Sequence, residues 1–234
     1  NISPDGHTAI PWSCDAYYGE MTSTWSSTAT SLPSDVELMV GRVDLFNFPS
    51  FSASELNLTK QYLTKASQFK TAQFIPNATG LIQDNFGSYA EPGFRTMGPL
   101  VGVSNLVVIP TYNSPKFWQR VVEGYLWTYS AGGGGYGSAD GIGSTVEYAA
   151  SPHNGIFNIT FGSYFGNYDC QVEAIGPNNG ADNFLRAPLA SGKALTNFYA
   201  GRPNAFFHHM GMGDPIGYST KITQNNRSSS AIYQ

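Results

Sequence analysis

The side chains here that could support hydrolysis are one serine at the end of an apolar run, a handful of histidines and several scattered acids. Ser163 follows IFNITFG, so it stands where a strand would hand over to a loop, and His153, His208 and His209 are the bases it could draw on. The surrounding GSYFG has a serine between glycines but lacks the nucleophile-elbow spacing, in which one residue separates the serine from each glycine. His208 and His209 lie in AFFHHM, where a packed or hydrogen-bonded pair is the commoner role. Asp84, Asp140, Glu147 and Asp169 offer the two carboxylates that glycoside hydrolysis needs, and abundant aromatics would suit sugar stacking, but no motif selects a pair. Tyr164 and Cys170 are further candidates for lining such a site.

Cofactor chemistry finds little support. The run AGGGGYGSADG resembles a phosphate cradle only in glycine content: a P-loop requires Gly-Lys-Ser/Thr, and no lysine occurs between Lys116 and Lys193. A dinucleotide fingerprint would need a clean helix directly after the glycines. Asp5, His7 and Asp15 are metal-ligating types without a ligand spacing, so they read as a solvated loop. We expect neither cofactor nor metal.

The elements that must position these residues alternate between strands and helices. VELMVGRV (Val36 to Val43) reads as a buried strand, with Arg42 near its end placed to hold a carboxylate. Ser52 or Ser54 caps a helix to about Lys70, with Leu56, Leu63, Ala66 and Phe69 as its apolar stripe and Lys60, Lys65 and Lys70 on a solvated face. GLIQDNFG is a short strand running into Asp84-Asn85, a pair suited to capping the next helix. The segment from Glu91 to Leu100 is ambiguous, and NLVVI (Asn105 to Ile109) is a further strand.

Ser114-Pro115 opens a compact helix that Gly124 ends. YLWTYS follows as a strand, then the glycine loop, one or two helical turns from Ser144 to Ala150, and the strand IFNITFGS. Asn183 to Ala190 reads as a short helix, Leu195 to Ala200 as a strand, Ala205 to Met212 as a glycine-ended turn or short strand, and Pro215 to Gln224 as a last helix. This rhythm predicts right-handed crossovers and an α/β fold with a largely parallel sheet flanked by helices and long irregular loops. Residues 1–35 read as an irregular segment packed on a domain spanning 36–234.

Composition narrows the partners. The chain has 234 residues, 41% of them apolar and 14% aromatic, enough for a substantial core. Only 12% are charged, and the net charge of −4 leaves no basic footprint for nucleic acid and no cluster for an anionic membrane. No apolar run reaches the length of a membrane span, and Asn1 does not open a signal peptide, so the chain reads as a mature or excised segment. Low charge with much Asn, Ser and Thr suggests an extracellular setting, where Cys14 and Cys170 could form a disulfide or stay as two buried thiols. Sequons fall at Asn1, Asn57, Asn77, Asn158 and Asn226, although so Asn- and Ser/Thr-rich a chain would contain roughly three by chance.

The order VELMVGRV, capped helix with spaced lysines, GLIQDNFG, YLWTYSAGGGG, IFNITFGSYFG resembles secreted bacterial proteins with a caspase-like, gingipain-type cysteine peptidase domain, over roughly residues 36–200. The resemblance implies caspase-like topology and a catalytic site at the ends of two strands, one closing in His-Gly and the next in a small residue and Cys. The corresponding positions here look like Ala131-Gly132 and Gly162-Ser163. Alanine cannot take a proton, and a serine with no base beside it is a poor nucleophile. The expectation is therefore a secreted or surface-exposed peptidase-like domain without peptidase activity, serving as a binding, assembly or structural module for a protein or glycan surface or for copies of itself. The alternative is an extracellular hydrolase, acting on peptide or glycoside through Ser163, Cys170 or a carboxylate pair.

Overall fold

The computed structural model describes residues 14–26, 32–168, 182–199 and 205–226. Its centre is a five-stranded parallel sheet. Strands β1 (Gly80–Asp84), β2 (Leu106–Ile109), β3 (Tyr125–Ala131), β7 (Gly155–Phe161) and β8 (Thr196–Tyr199) lie in the order β2-β1-β3-β7-β8. Every neighbouring pair in that sheet is parallel. Three two-residue strands in the glycine loop, β4 (Gly134–Gly135), β5 (Ser138–Ala139) and β6 (Gly143–Ser144), form a separate antiparallel meander.

Successive strand residues point to opposite faces, and each face carries its own apolar cluster. Leu81, Ile109 and Tyr125 pack with Leu58 of α2 (Glu55–Lys70), Phe117 of α4 (Phe117–Arg120), Tyr148 of α5 (Thr145–Ala150) and Leu189 of α6 (Ala187–Ala190). On the other face Ile82, Trp127, Tyr129, Ala131, Ile159 and Phe161 pack with Met97 and Val101 of α3 (Glu91–Val101) and with Phe207. Ile216, which opens α7 (Ile216–Asn225), closes over this second cluster. The protein is thus an α/β fold whose sheet is covered by helices on both sides.

The central strands also carry a buried polar ribbon on the first face. Thr128 donates to Asn158 Oδ1 at 2.6 Å, Thr160 donates to Asn197 Oδ1 at 2.8 Å, and Asn158 Nδ2 donates to the carbonyls of Gly155 and Thr196. Interior polar groups persist when they satisfy one another, and these do so across β3, β7 and β8.

Several elements depart from the sequence reading. Val36 to Val43 is not a strand: it crosses the surface as irregular chain with Leu38, Met39 and Val43 exposed and only Val36 fully buried. Side-chain ties hold this strap where a ladder would have done so. Arg42 binds Asp15 and the Tyr168 hydroxyl, Asp44 pairs with Arg186 at 2.9 Å, and Asn225 exchanges two hydrogen bonds with the backbone of Val36. Arg42 therefore does hold a carboxylate, that of Asp15.

Helix α2 starts as expected, with Ser54 accepting from the Asn57 amide, but its inward stripe differs. Leu56 and Leu63 are 62% and 61% exposed. The buried or half-buried residues recur instead at Leu58, Tyr62, Lys65 and Phe69, so Lys65 lies inside, not on the solvated face. A lysine in that register hides the apolar period from a reading of residue types alone.

The peptide before Pro115 is cis and α4 begins only at Phe117, capped through Lys116 and Gln119; Pro115 is thus not its first residue. The ambiguous Glu91 segment is helical, Asn183 to Ala190 shortens to α6, and His208–Met212 is a 3-10 turn. The described part of the N-terminal stretch includes a short helix, α1 (Ala16–Gly19), followed by Glu20, whose carboxylate gathers Thr22, Ser23, Trp25 and Ser34. Among the described residues no helix is long and apolar enough to cross a membrane.

Candidate functional site

Three strand ends meet at one edge of the sheet: Asp84 on β1, Ala131 on β3 and Phe161 on β7. Ala131 is fully buried, and its small side chain belongs to the apolar cluster with Ile82 and Phe161. Ser163 is half-buried just beyond β7. The two strand ends press together through bare backbone. A Cβ on Gly134 would lie 2.5 Å from the Ser163 nitrogen and closer still to its carbonyl oxygen, and a Cβ on Gly162 would collide with the carbonyl of Gly132. The glycines are required by this contact between loops rather than by a ligand held against the chain.

None of the described histidines reaches this edge. His153 is buried before β7, at the opposite end of the strands, with its ring 4.9 Å from that of Tyr148 and 5.9 Å from that of Phe117. Burial pushes its imidazole down to about 3, so it is neutral at ordinary pH. His208 and His209 stack on each other at 4.4 Å in the turn beside the carboxyl end of α3, again away from the strand ends. His208 is exposed and His209 half-buried.

Asp84 is an organiser of its loop: its carboxylate accepts from the amides of Phe86 and Tyr89, and its carbonyl accepts from Thr111. Neither it nor Asn85 caps α3. Asn85 instead brackets two loops, accepting from the Tyr112 amide at 2.8 Å and donating to the Asp140 carbonyl at 2.8 Å. Tyr112 in turn bonds the Asp140 carboxylate, whose negative charge pushes the phenol upward. Tyr112 and Tyr164 both adopt positive φ, 52° and 67°, a conformation that tertiary contacts must enforce on a tyrosine. Tyr164 is exposed, with its ring 5.7 Å from Tyr136.

Beside these strand ends opens a groove of about 410 Å³. Its walls are Trp118, Lys116, Asp140, Glu147, Ser138 and Ser144, and its floor is the backbone of the glycine run. Ser144 caps α5, accepting from the Glu147 amide and donating to Glu147 Oε2 at 2.9 Å, which fixes that carboxylate in the wall. Of the four acids the sequence offered, Asp140 and Glu147 thus share a groove, while Asp84 is spent on its own loop. Asp169 lies outside the described residues, as do Cys170, Asn1, Asp5 and His7. Reading residue types missed Tyr112 and Trp118 as site residues: a turn tyrosine and an aromatic in a short helix have no distinctive spacing.

Burial pushes the Cys14 thiol up, and the ring of Tyr168, two residues before Cys170, lies near it through Arg42. Of the sequons, Asn57 and Asn77 are exposed and Asn226 is half-buried. Asn158 is 1% exposed with its amide nitrogen committed to strand carbonyls, so it has no room for a glycan in the folded protein. No cluster of three or more metal-ligating side chains occurs among the described residues.

No family model, curated protein or solved structure matches this chain.

Proposed function

We propose that this is a secreted or surface-exposed domain of caspase-like topology that has no peptidase chemistry and works as a binding module, with the groove beside the strand ends as its contact site. The observation that carries the reading is what stands at the two strand ends: where the gingipain-type pattern would place base and thiol, Ala131 offers a buried methyl and the backbone of Ser163 is pressed against Gly134. An imidazole at position 131 would have to occupy the apolar cluster, so the loss of the base is built into the packing.

The groove's chemistry favours a carbohydrate. Trp118 supplies an aromatic surface, Ser138 and Ser144 supply hydroxyls, and Asp140 and Glu147 supply acceptors for sugar hydroxyls. Binding of the full chain to glycan and peptide panels, alongside a Trp118→Ala variant, tests this. Glycan binding lost in the variant supports it. Binding to peptides alone would overturn the choice of ligand, and no binding by either panel would overturn the site.

A second reading, a glycoside hydrolase, is favoured by the one fact that Asp140 and Glu147 line the same groove. Turnover of a bound glycan, abolished in Glu147→Gln, would establish it over simple binding.

A further inference from the structure

Lys65 lies at the other end of the sheet from the groove just described. It is 8% exposed, on the inward stripe of α2, and among the described residues no carboxylate pairs with it. Its Nζ donates instead to two backbone carbonyls at the end of α6, Leu189 at 2.8 Å and Ser191 at 3.0 Å. Burial pushes the ammonium down to about 7. His153, held to the same Ser191 through its amide, disfavours a positive charge here further if protonated, and is itself neutral.

Two carbonyl partners suit a neutral amine. A primary amine has two N–H bonds, both used here, and one lone pair that remains. Lys65 also lines an open groove of about 290 Å³ together with Lys60, Gln61, Thr64, Gln68 and Leu189. The amine is therefore confined, desolvated and beside a space large enough for a small molecule. That is the environment that makes a lysine a nucleophile toward carbonyl carbon. Lys60, exposed on the same wall, provides a cation for an anionic substituent on whatever enters.

We propose that Lys65 is an imine-forming site for small carbonyl acids, with Lys60 receiving the carboxylate of the ligand. The Nζ lone pair attacks the carbonyl carbon, and one nitrogen proton passes to the oxygen to give a carbinolamine. Loss of water then gives the imine. The carbinolamine keeps one N–H for Leu189 or Ser191, and the neutral imine keeps none, so both carbonyls turn to groove water in the final adduct. The site goes beyond the binding function proposed above and does not depend on it.

The test uses the full chain and glyoxylate with sodium cyanoborohydride, which supplies hydride and fixes the imine as N-carboxymethyl-lysine, located by peptide mapping. At neutral pH Lys65 should be modified more than about tenfold faster than Lys60 or Lys70 on the same helix, because an ordinary lysine is almost wholly protonated there. In Lys60→Gln the rate at Lys65 should fall with glyoxylate and hold with propionaldehyde. Modification of Lys65 no faster than Lys60 and Lys70, or only after denaturation, overturns the proposal. An equal response of both aldehydes to Lys60→Gln overturns the role of Lys60 and the restriction to acids.

Discussion

Gly134 and Ser163 touch through their backbones: a methyl group on Gly134 would overlap the peptide of Ser163. The ends of β3 and β7 are thereby closed against each other, and the residue that could be a nucleophile is packed against glycine rather than against a base. Adding one carbon at this contact forces two loop backbones apart. Gly134→Ala should therefore destabilise the fold by about 2 kcal/mol or more. A chemical denaturation midpoint unchanged from the parent would mean that the loops do not meet in solution.

Installing a His-Cys dyad at these strand ends should fail for a packing reason. Ala131 has no exposed surface, and an imidazole there would have to enter its apolar cluster. Ala131→His combined with Ser163→Cys should lose several kcal/mol of stability, about 3 for burying the ring without a partner, and should gain no peptidase activity. Stability close to the parent's, with cleavage of a peptide panel, would show that the strand ends can accommodate the dyad.

His153 predicts a pH dependence of defined sign. Its folded pKa, about 3, lies below that of the unfolded chain, so the unfolded state takes up the proton first as pH falls. The stabilisation is complete above about pH 6.5 and declines toward the folded value, by up to about 1.4 kcal/mol per pH unit. Lys65 acts in the same direction but in a higher window, from its ordinary alkaline value down to about 7. Denaturant unfolding between about pH 6.5 and 5, above most carboxylate titrations, should show the slope in the parent and lose most of it in His153→Gln. Equal slopes in both proteins would contradict a neutral buried imidazole.

Glycan occupancy should follow burial. Expressed in a glycosylating host, the chain should carry sugar at the exposed Asn57 and Asn77 and none at Asn158, as read by glycosidase treatment and peptide mapping. Sugar on Asn158 in folded, soluble protein would be incompatible with its hydrogen bonds across β7 and β8.

Much of the framework is written in local patterns. GLIQD, YLWTYS and IFNITF are apolar enough to be interior strands, Ser54 and Ser144 cap their helices, and Gly124 ends the turn before β3 with φ near 90°. Val36 to Val43 misled because strand-forming residues need a neighbouring strand, and that strap is held by Arg42, Asp44 and Val36 ties from distant parts of the chain. Lys65 misled in the opposite way: its partners, the carbonyls of Leu189 and Ser191, lie more than a hundred residues away in sequence. Only the folded loops reveal that the backbone of Ser163 is what lies against the glycine run. Tyr112 and Trp118 became visible only when the loops were brought to one edge.

The central claim, a strand-end site without peptidase chemistry, is tested most directly at Ser163. The purified chain would be treated with serine-directed and thiol-directed activity probes and assayed on a peptide panel, in parallel with Ser163→Ala. The account predicts no covalent label at Ser163 and no turnover by either protein. Labelling at Ser163 with peptide cleavage, both lost in Ser163→Ala, would contradict it.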